Sequence, residues 1–179
     1  RSLVRRILAQ SEAEIGRWRD SLLEAVEPNG QLMLDLIPEV EFLIGKQPPV
    51  PELPSQESQG RFHRVFREFL SVFATQEHPL TLFMDDLQWQ DPASLQLMEH
   101  LVTHPDVRYL LFIGAYRDKE VDPTHPLIST LDAIRKAGVA LGEIVLAPLS
   151  LKDIGMLISD SLSCGPSRAE AMARIVYEK

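Results

Sequence analysis

The 179 residues are enough for one domain with a substantial hydrophobic core. Apolar residues make up 45% and charged residues 25%, the balance of an ordinary globular protein rather than a disordered or fibrous one. The net charge of −8 argues against a nonspecific nucleic-acid surface, which needs a basic face. The single cysteine, Cys164, leaves no internal disulfide and fits a reducing, cytoplasmic setting, where it reads as a small thiol before a turn. No apolar run approaches the ~18–20 residues of a membrane span and no signal peptide opens the chain, so membrane insertion by this segment is not expected. The first residue is Arg rather than Met and helical periodicity starts at once, as in a piece of something longer.

Residues 1–75 read as a helical region. Leu3, Ile7, Leu8, Ile15, Trp18, Leu22 and Val26 form a stripe at helical spacing, renewed at Ser11, whose distance to Glu14 fits a capping box. Trp18 belongs to the core in this reading, and Arg1, Arg5, Arg6, Arg17 and Arg19 to the solvated face. Pro28-Asn29-Gly30 stops the helix. Gln31 to Ile44 is apolar and broken by Pro38, which gives two short helical pieces. Residues 45–58 hold Pro48, Pro49, Pro51 and Pro54; they form either an extended surface connection or a docking site for a polyproline-binding module. From Arg61 to Phe73, six apolar residues including four phenylalanines recur at helical spacing, a core-facing helix.

Leu80 to Met84 is an almost continuous apolar run that ends in two carboxylates, Asp85 and Asp86. Such a run suits a strand (about 80–85) buried on both faces of a parallel sheet, and ligands of open α/β sheets bind at the carboxyl ends of the strands. Asp91 offers a helix N-cap and Pro92 a first helical position, ahead of an inward stripe of Leu95, Met98, Leu101 and Val102. An acidic pair placed there suits magnesium–nucleotide chemistry, because Mg²⁺ is held by one or two carboxylates plus phosphate oxygens and water. The plainer alternative is that one carboxylate caps a turn and the other is solvated. The histidines His63, His78, His100, His104 and His125 are scattered; only His100 and His104 share an i,i+4 spacing, which is no metal cage without a third ligand.

A second strand is expected at 108–115, followed by Tyr116, Arg117 and Asp118. Arg117 just beyond it would reach a terminal phosphate with its planar fork, or else pair with Asp118 at the surface. His125-Pro126 opens another helix, closed by Gly138, and Glu143 to Ala147 reads as a third, shorter strand. Residues 148–179 read as two helices, one capped by Ser150 with Asp153, the other by Ser167 with Glu170.

The stretch LFMDDLQWQDPASLQLMEHL resembles the Walker B segment of STAND-type signal-transduction ATPases, a branch of the AAA-related P-loop NTPases, and GAYRDKEVDPTHPL resembles their sensor segment. More widely, the chain is similar to the ATPase region of very large bacterial signalling proteins, in which a serine/threonine-kinase-like domain precedes the ATPase and GAF and histidine-kinase modules follow. The resemblance implies a partial NTPase α/β core over residues 1–147 and the start of a helical lid over 148–179. It implies ATP and Mg²⁺ as cofactors, with the metal at Asp85, directly or through water. Asp86 would polarise the attacking water and Arg117 would sense the γ-phosphate. ATP and ADP, and covalently linked kinase and sensor domains, are the implied partners. The family's phosphate-binding loop, G-x-x-x-x-G-K-[ST], is absent: after Gly45-Lys46 stands Gln47, and Val40 occupies the earlier glycine position. The resemblance places that loop upstream and an adenine-contacting Gly-x-Pro segment downstream. In this fold class the missing loop's strand lies between those at 108–115 and 143–147, so the isolated chain is expected either to be poorly stable or to adopt an incomplete sheet.

Three functions follow. One is an ATP-hydrolysing regulatory switch, expected to be inactive as this chain alone. A second is a non-catalytic nucleotide-sensing or protein-interaction module on the same fold. The third, a phosphoacceptor receiver domain, would need its acidic pair near the N-terminus and a Lys directly after a later strand, and this sequence has neither.

Overall fold

The computed structural model describes residues 2–177, and two units emerge from it, Arg1–Leu141 and Gly142–Lys179. In the first unit, helix α1 (Ser2–Leu8) is followed by α2 (Glu12–Val26), which starts where the Ser11–Glu14 pair predicts. The two residues cap reciprocally: the Ser11 N–H donates to Glu14 Oε2 at 3.0 Å, and the Glu14 N–H to Ser11 Oγ at 3.4 Å. Pro38 divides the next stretch into α3 (Gly30–Leu36) and α4 (Glu41–Ile44), joined by a 3₁₀ turn. Residues 45–54 are irregular, and α5 (Ser55–Phe73) starts directly after Pro54, earlier than its apolar stripe. Its first turns are polar and mostly exposed, so hydrophobic periodicity carries no signal for them. Ser58 Oγ and Arg61 Nη2 donate to the Leu53 and Pro51 carbonyls and pin the proline segment to this helix.

The helical core is made by Leu22 and Val26 of α2, Met33 of α3, Leu43 of α4 and Val65, Phe69 and Phe73 of α5. Trp18, half-buried, packs against this core: it stacks on Phe73 at 5.5 Å between ring centroids and donates its indole N–H to Gln10.

Strands β1 (Leu80–Met84) and β2 (Leu110–Gly114) pair in parallel, from Leu80 opposite Leu110 to Met84 opposite Gly114. Parallel neighbours need a crossover, here α6 (Pro92–Thr103). Asp91 caps it, accepting the Ala93 and Ser94 N–H groups at 2.9 and 3.0 Å. Helix α7 (Pro126–Lys136) completes the unit. Met84 and Phe112 pack against Leu87, Leu95, Met98, Leu127 and Ile134, a second core beneath one face of the sheet.

Two expectations are corrected. Burial on both faces does not hold for these strands: Phe83 is 63% exposed and Leu111 57%, because side chains alternate in a strand and the α6–α7 core takes only the Met84–Phe112 side. Glu143 to Ala147 is not a strand. It is irregular, with Ile144, Val145 and Leu146 each at least 80% exposed, and the sheet of the described residues has only two strands. A strand needs a hydrogen-bonding neighbour, and the sheet of the described residues consists of β1 and β2 alone.

In the second unit, α8 (Leu151–Leu162) is capped by Ser150 and Asp153 as predicted. The following helix, α9 (Pro166–Tyr177), starts at Pro166, so Ser167 lies inside it rather than at its cap. Leu157 and Leu162 are exposed in this two-helix unit. Among the described residues no helix is long and apolar enough to cross a membrane.

Gly114 is a point of close approach. A Cβ there would stand 2.4 Å from Leu87 Cδ1, and Leu87 is itself buried, so the leucine could not simply swing into solvent. Gly114→Ala is therefore expected to destabilise the chain by about 1–3 kcal/mol, as overpacking does. Urea denaturation checks this; an unchanged midpoint would show that Leu87 yields freely.

Candidate functional site

The two strand ends are joined before any side chain is considered. The Ala115 N–H donates to the Met84 carbonyl and the Leu87 N–H to the Ala115 carbonyl, both at 2.9 Å, which carries the pairing past the last strand residues. Asp85 and Asp86 sit in this join. Asp86 adopts a left-handed conformation (φ 52°, ψ 46°), which Asp tolerates better than most residues, and its N–H donates to Asp85 Oδ1 at 2.9 Å. The chain then turns through a short 3₁₀ segment, Leu87–Trp89.

Arg117, the third residue predicted from sequence, lies within reach of the pair. Its Nε is 3.7 Å from Asp86 Oδ1, its Nη1 donates to Glu120 Oε1 at 3.0 Å, and its guanidinium lies over the Trp89 ring at 5.4 Å. The Glu120 carboxylate first, then Asp86 and Asp85, hold the guanidinium proton more tightly than usual. The alternative pairing with Asp118 gives way to these partners; Asp118 Oδ1 accepts the Lys119 N–H instead. So Asp85, Asp86 and Arg117, separated by about thirty residues of sequence, form one cluster at the carboxyl ends of neighbouring strands.

Gln88 organises that cluster and was not singled out by sequence. It is buried, and its amide is used on both sides. Nε2 donates to Asp86 Oδ1 at 3.0 Å and to Glu120 Oε2 at 3.3 Å, while Oε1 accepts the Arg117 N–H at 3.3 Å. Its backbone carbonyl is 3.1 Å from His125 Nε2, and His125 Nδ1 accepts the Leu127 N–H at the start of α7. The second contact leaves the proton on Nε2, so one neutral tautomer of His125 serves both bonds. Glu120 was also missed. Its spacing of three residues from Arg117 is a weak signal, and a buried glutamine two residues after an acid leaves none in a hydrophobic pattern. Gly45, rejected from sequence as part of a phosphate loop, has φ 69° and ends α4 ahead of the proline segment, which is no turn into a helix N-terminus.

Gln88→Leu is expected to cost about 1–3 kcal/mol in urea denaturation, because it strips donors from two carboxylates and the acceptor from an N–H. Gln88→Glu sets a third carboxylate between Asp86 and Glu120. It should be the worse variant at neutral pH, recovering as the pH falls and the group takes a proton. Equal stability of the two variants at both pH values would contradict the hydrogen bonds described.

The family described as AAA ATPase domain matches residues 1–113, which covers the acidic pair and most of β2 and ends before Arg117. Hybrid signal transduction histidine kinase G of Dictyostelium discoideum is 40% identical over 100 residues, 56% of this chain and 3% of that protein. The chain thus spans a small part of the curated relative it matches. No solved structure matches the chain.

Proposed function

The chain belongs to the AAA ATPase domain family, and we propose that it supplies the acidic and phosphate-sensing half of a magnesium–nucleotide site in a signal-transducing regulatory ATPase. The observation that carries this reading is the meeting of Asp86 and Arg117, 3.7 Å apart at the ends of parallel strands, where open α/β sheets take their ligands. The donor set fits magnesium. Asp85 and Asp86 offer hard oxygens, and magnesium is usually shared between one or two carboxylates, phosphates and water rather than caged by protein.

In this reading Asp85 holds the ion, directly or through water, and Asp86 is the Walker B carboxylate that polarises the attacking water. Bound magnesium supplies neutralisation of phosphate charge. Gln88 keeps Asp86 Oδ1 in place through its amide. Arg117 reports the terminal phosphate, which requires it to exchange Glu120 for phosphate oxygens. The sequence holds no G-x-x-x-x-G-K-[ST], so the phosphate grip comes from residues other than these. Extended by the resemblance to STAND-type switches of large bacterial signalling proteins, the proposal makes the α8–α9 unit the start of a lid and linked kinase and sensor domains its readout. The name of the Dictyostelium relative, a hybrid signal transduction histidine kinase, supports a signalling context.

One observation favours a second reading, a module that senses nucleotide without hydrolysing it: Glu120 already occupies Arg117. Substitution in the full natural protein separates the two. Under the first reading Asp86→Asn lowers ATP turnover by roughly 10²–10⁴-fold with nucleotide binding retained, and Arg117→Ala weakens the preference for ATP over ADP. Unchanged turnover in Asp86→Asn would favour the second.

A further inference from the structure

A group of basic side chains lies between α5 and α6, away from the acidic pair. His63 and Arg67 of α5 face His100 of α6 and His104 at its end. The rings of His63 and His100, and of His100 and His104, are each 5.3 Å apart between centroids, and Arg67 Nη1 is 2.6 Å from His104 Nε2. The Asp106 N–H lies 3.3 Å from His104 Nδ1 and a guanidinium only donates, so donors face both ring nitrogens, with Arg67 at Nε2. A proton placed there would set two donors, and two cations, against each other. His100 Nε2 is buried with no hydrogen-bond partner, so a proton added at that nitrogen would find neither water nor an acceptor. Sequence spacing showed only the His100–His104 half of this group, because His63 arrives from another helix.

We propose that His63, Arg67, His100 and His104 form an acid-sensitive joint between α5 and α6, packed while the imidazoles are neutral and loosened when they take up protons. The carboxylates facing the group are too few to offset that charge. Asp106 Oδ2 lies 3.7 Å from His104 Nδ1, and Glu68 is paired with Arg67 at 3.2 Å. The other polar contact across these helices, Gln59 to Gln96, does not titrate. Burial holds His63 below the ordinary imidazole range; burial, then His63, His104 and Arg67, do the same for His100. With both depressed, the unfolded chain takes its protons first as the pH falls below ~6.5. The stabilisation from neutral packing is therefore complete above that value and lost as the pH falls through the folded-state values. The joint links the helix that precedes β1 to the helix that follows the acidic pair, so acid would slacken the support of α6.

The test is histidine side-chain NMR titration of the whole chain, with urea denaturation between about pH 7.5 and about pH 5.5. Each extra proton bound by the unfolded chain raises the unfolding constant by up to about tenfold per pH unit. His63 and His100 should titrate below the ordinary range, and the His63→Phe/His100→Phe variant should lose most of the acid-induced rise in unfolding, with His78 and His125 left in place. Titration of both rings at or above the ordinary range, or a variant with undiminished acid sensitivity, would overturn the proposal. Should the double variant not fold, Arg67→Met replaces it. That variant should move the His100 titration upward; an unmoved His100 counts against the joint.

Discussion

The site depends on one buried amide. Gln88 is a neutral group with donors on one end and an acceptor on the other, placed between two carboxylates and the backbone of the arginine that faces them. A carboxylate there would repel Asp86 and Glu120, and a hydrocarbon would leave the Arg117 N–H without this acceptor. The Met84–Ala115 and Ala115–Leu87 hydrogen bonds fix the backbone on which this amide sits. Gly114 lets the Leu87 side chain pack directly against β2 beneath the turn. Backbone pairing, one small residue and one amide together bring residues about thirty positions apart into a single cluster.

Much of this was legible in the sequence because it rests on local chemistry. The run Leu80–Met84 followed by Asp85-Asp86, the Asp91-Pro92 cap and the Ser11–Glu14 capping box are short-range signals, and each appears in the structure where those residues stand. The proximity of Arg117 to the acidic pair follows from two neighbouring parallel strands ending at the same edge. What was not legible needed partners distant in sequence. Gln88 looks like any polar turn residue until Glu120 and Arg117 arrive, and His63 looks like a helix-surface histidine until α6 packs against α5. Glu143–Ala147 has the composition of a strand but is irregular, and composition alone does not make a strand.

The two-stranded sheet also bears on how the fold is held. Its inner face has a core of Leu87, Leu95, Met98, Leu127 and Ile134, while Phe83, Leu111 and Ile113 on the outer face stay exposed. Most of the buried apolar side chains belong to the helical core of α1 to α5. The turn that carries the acidic pair therefore draws its order from that one-sided core and from hydrogen bonds, a less redundant arrangement than a sheet covered on both faces.

The most direct measurement of the central claim is paramagnetic relaxation with Mn²⁺·ATP, an oxygen-seeking stand-in for Mg²⁺, added to the full natural protein with these residues isotopically labelled. The account predicts that broadening centres on the amides of Asp85 to Gln88 and spreads to Arg117, with Asp85→Asn weakening it. Broadening centred elsewhere, or unchanged by Asp85→Asn, would contradict the assignment of the acidic pair as the metal–nucleotide site.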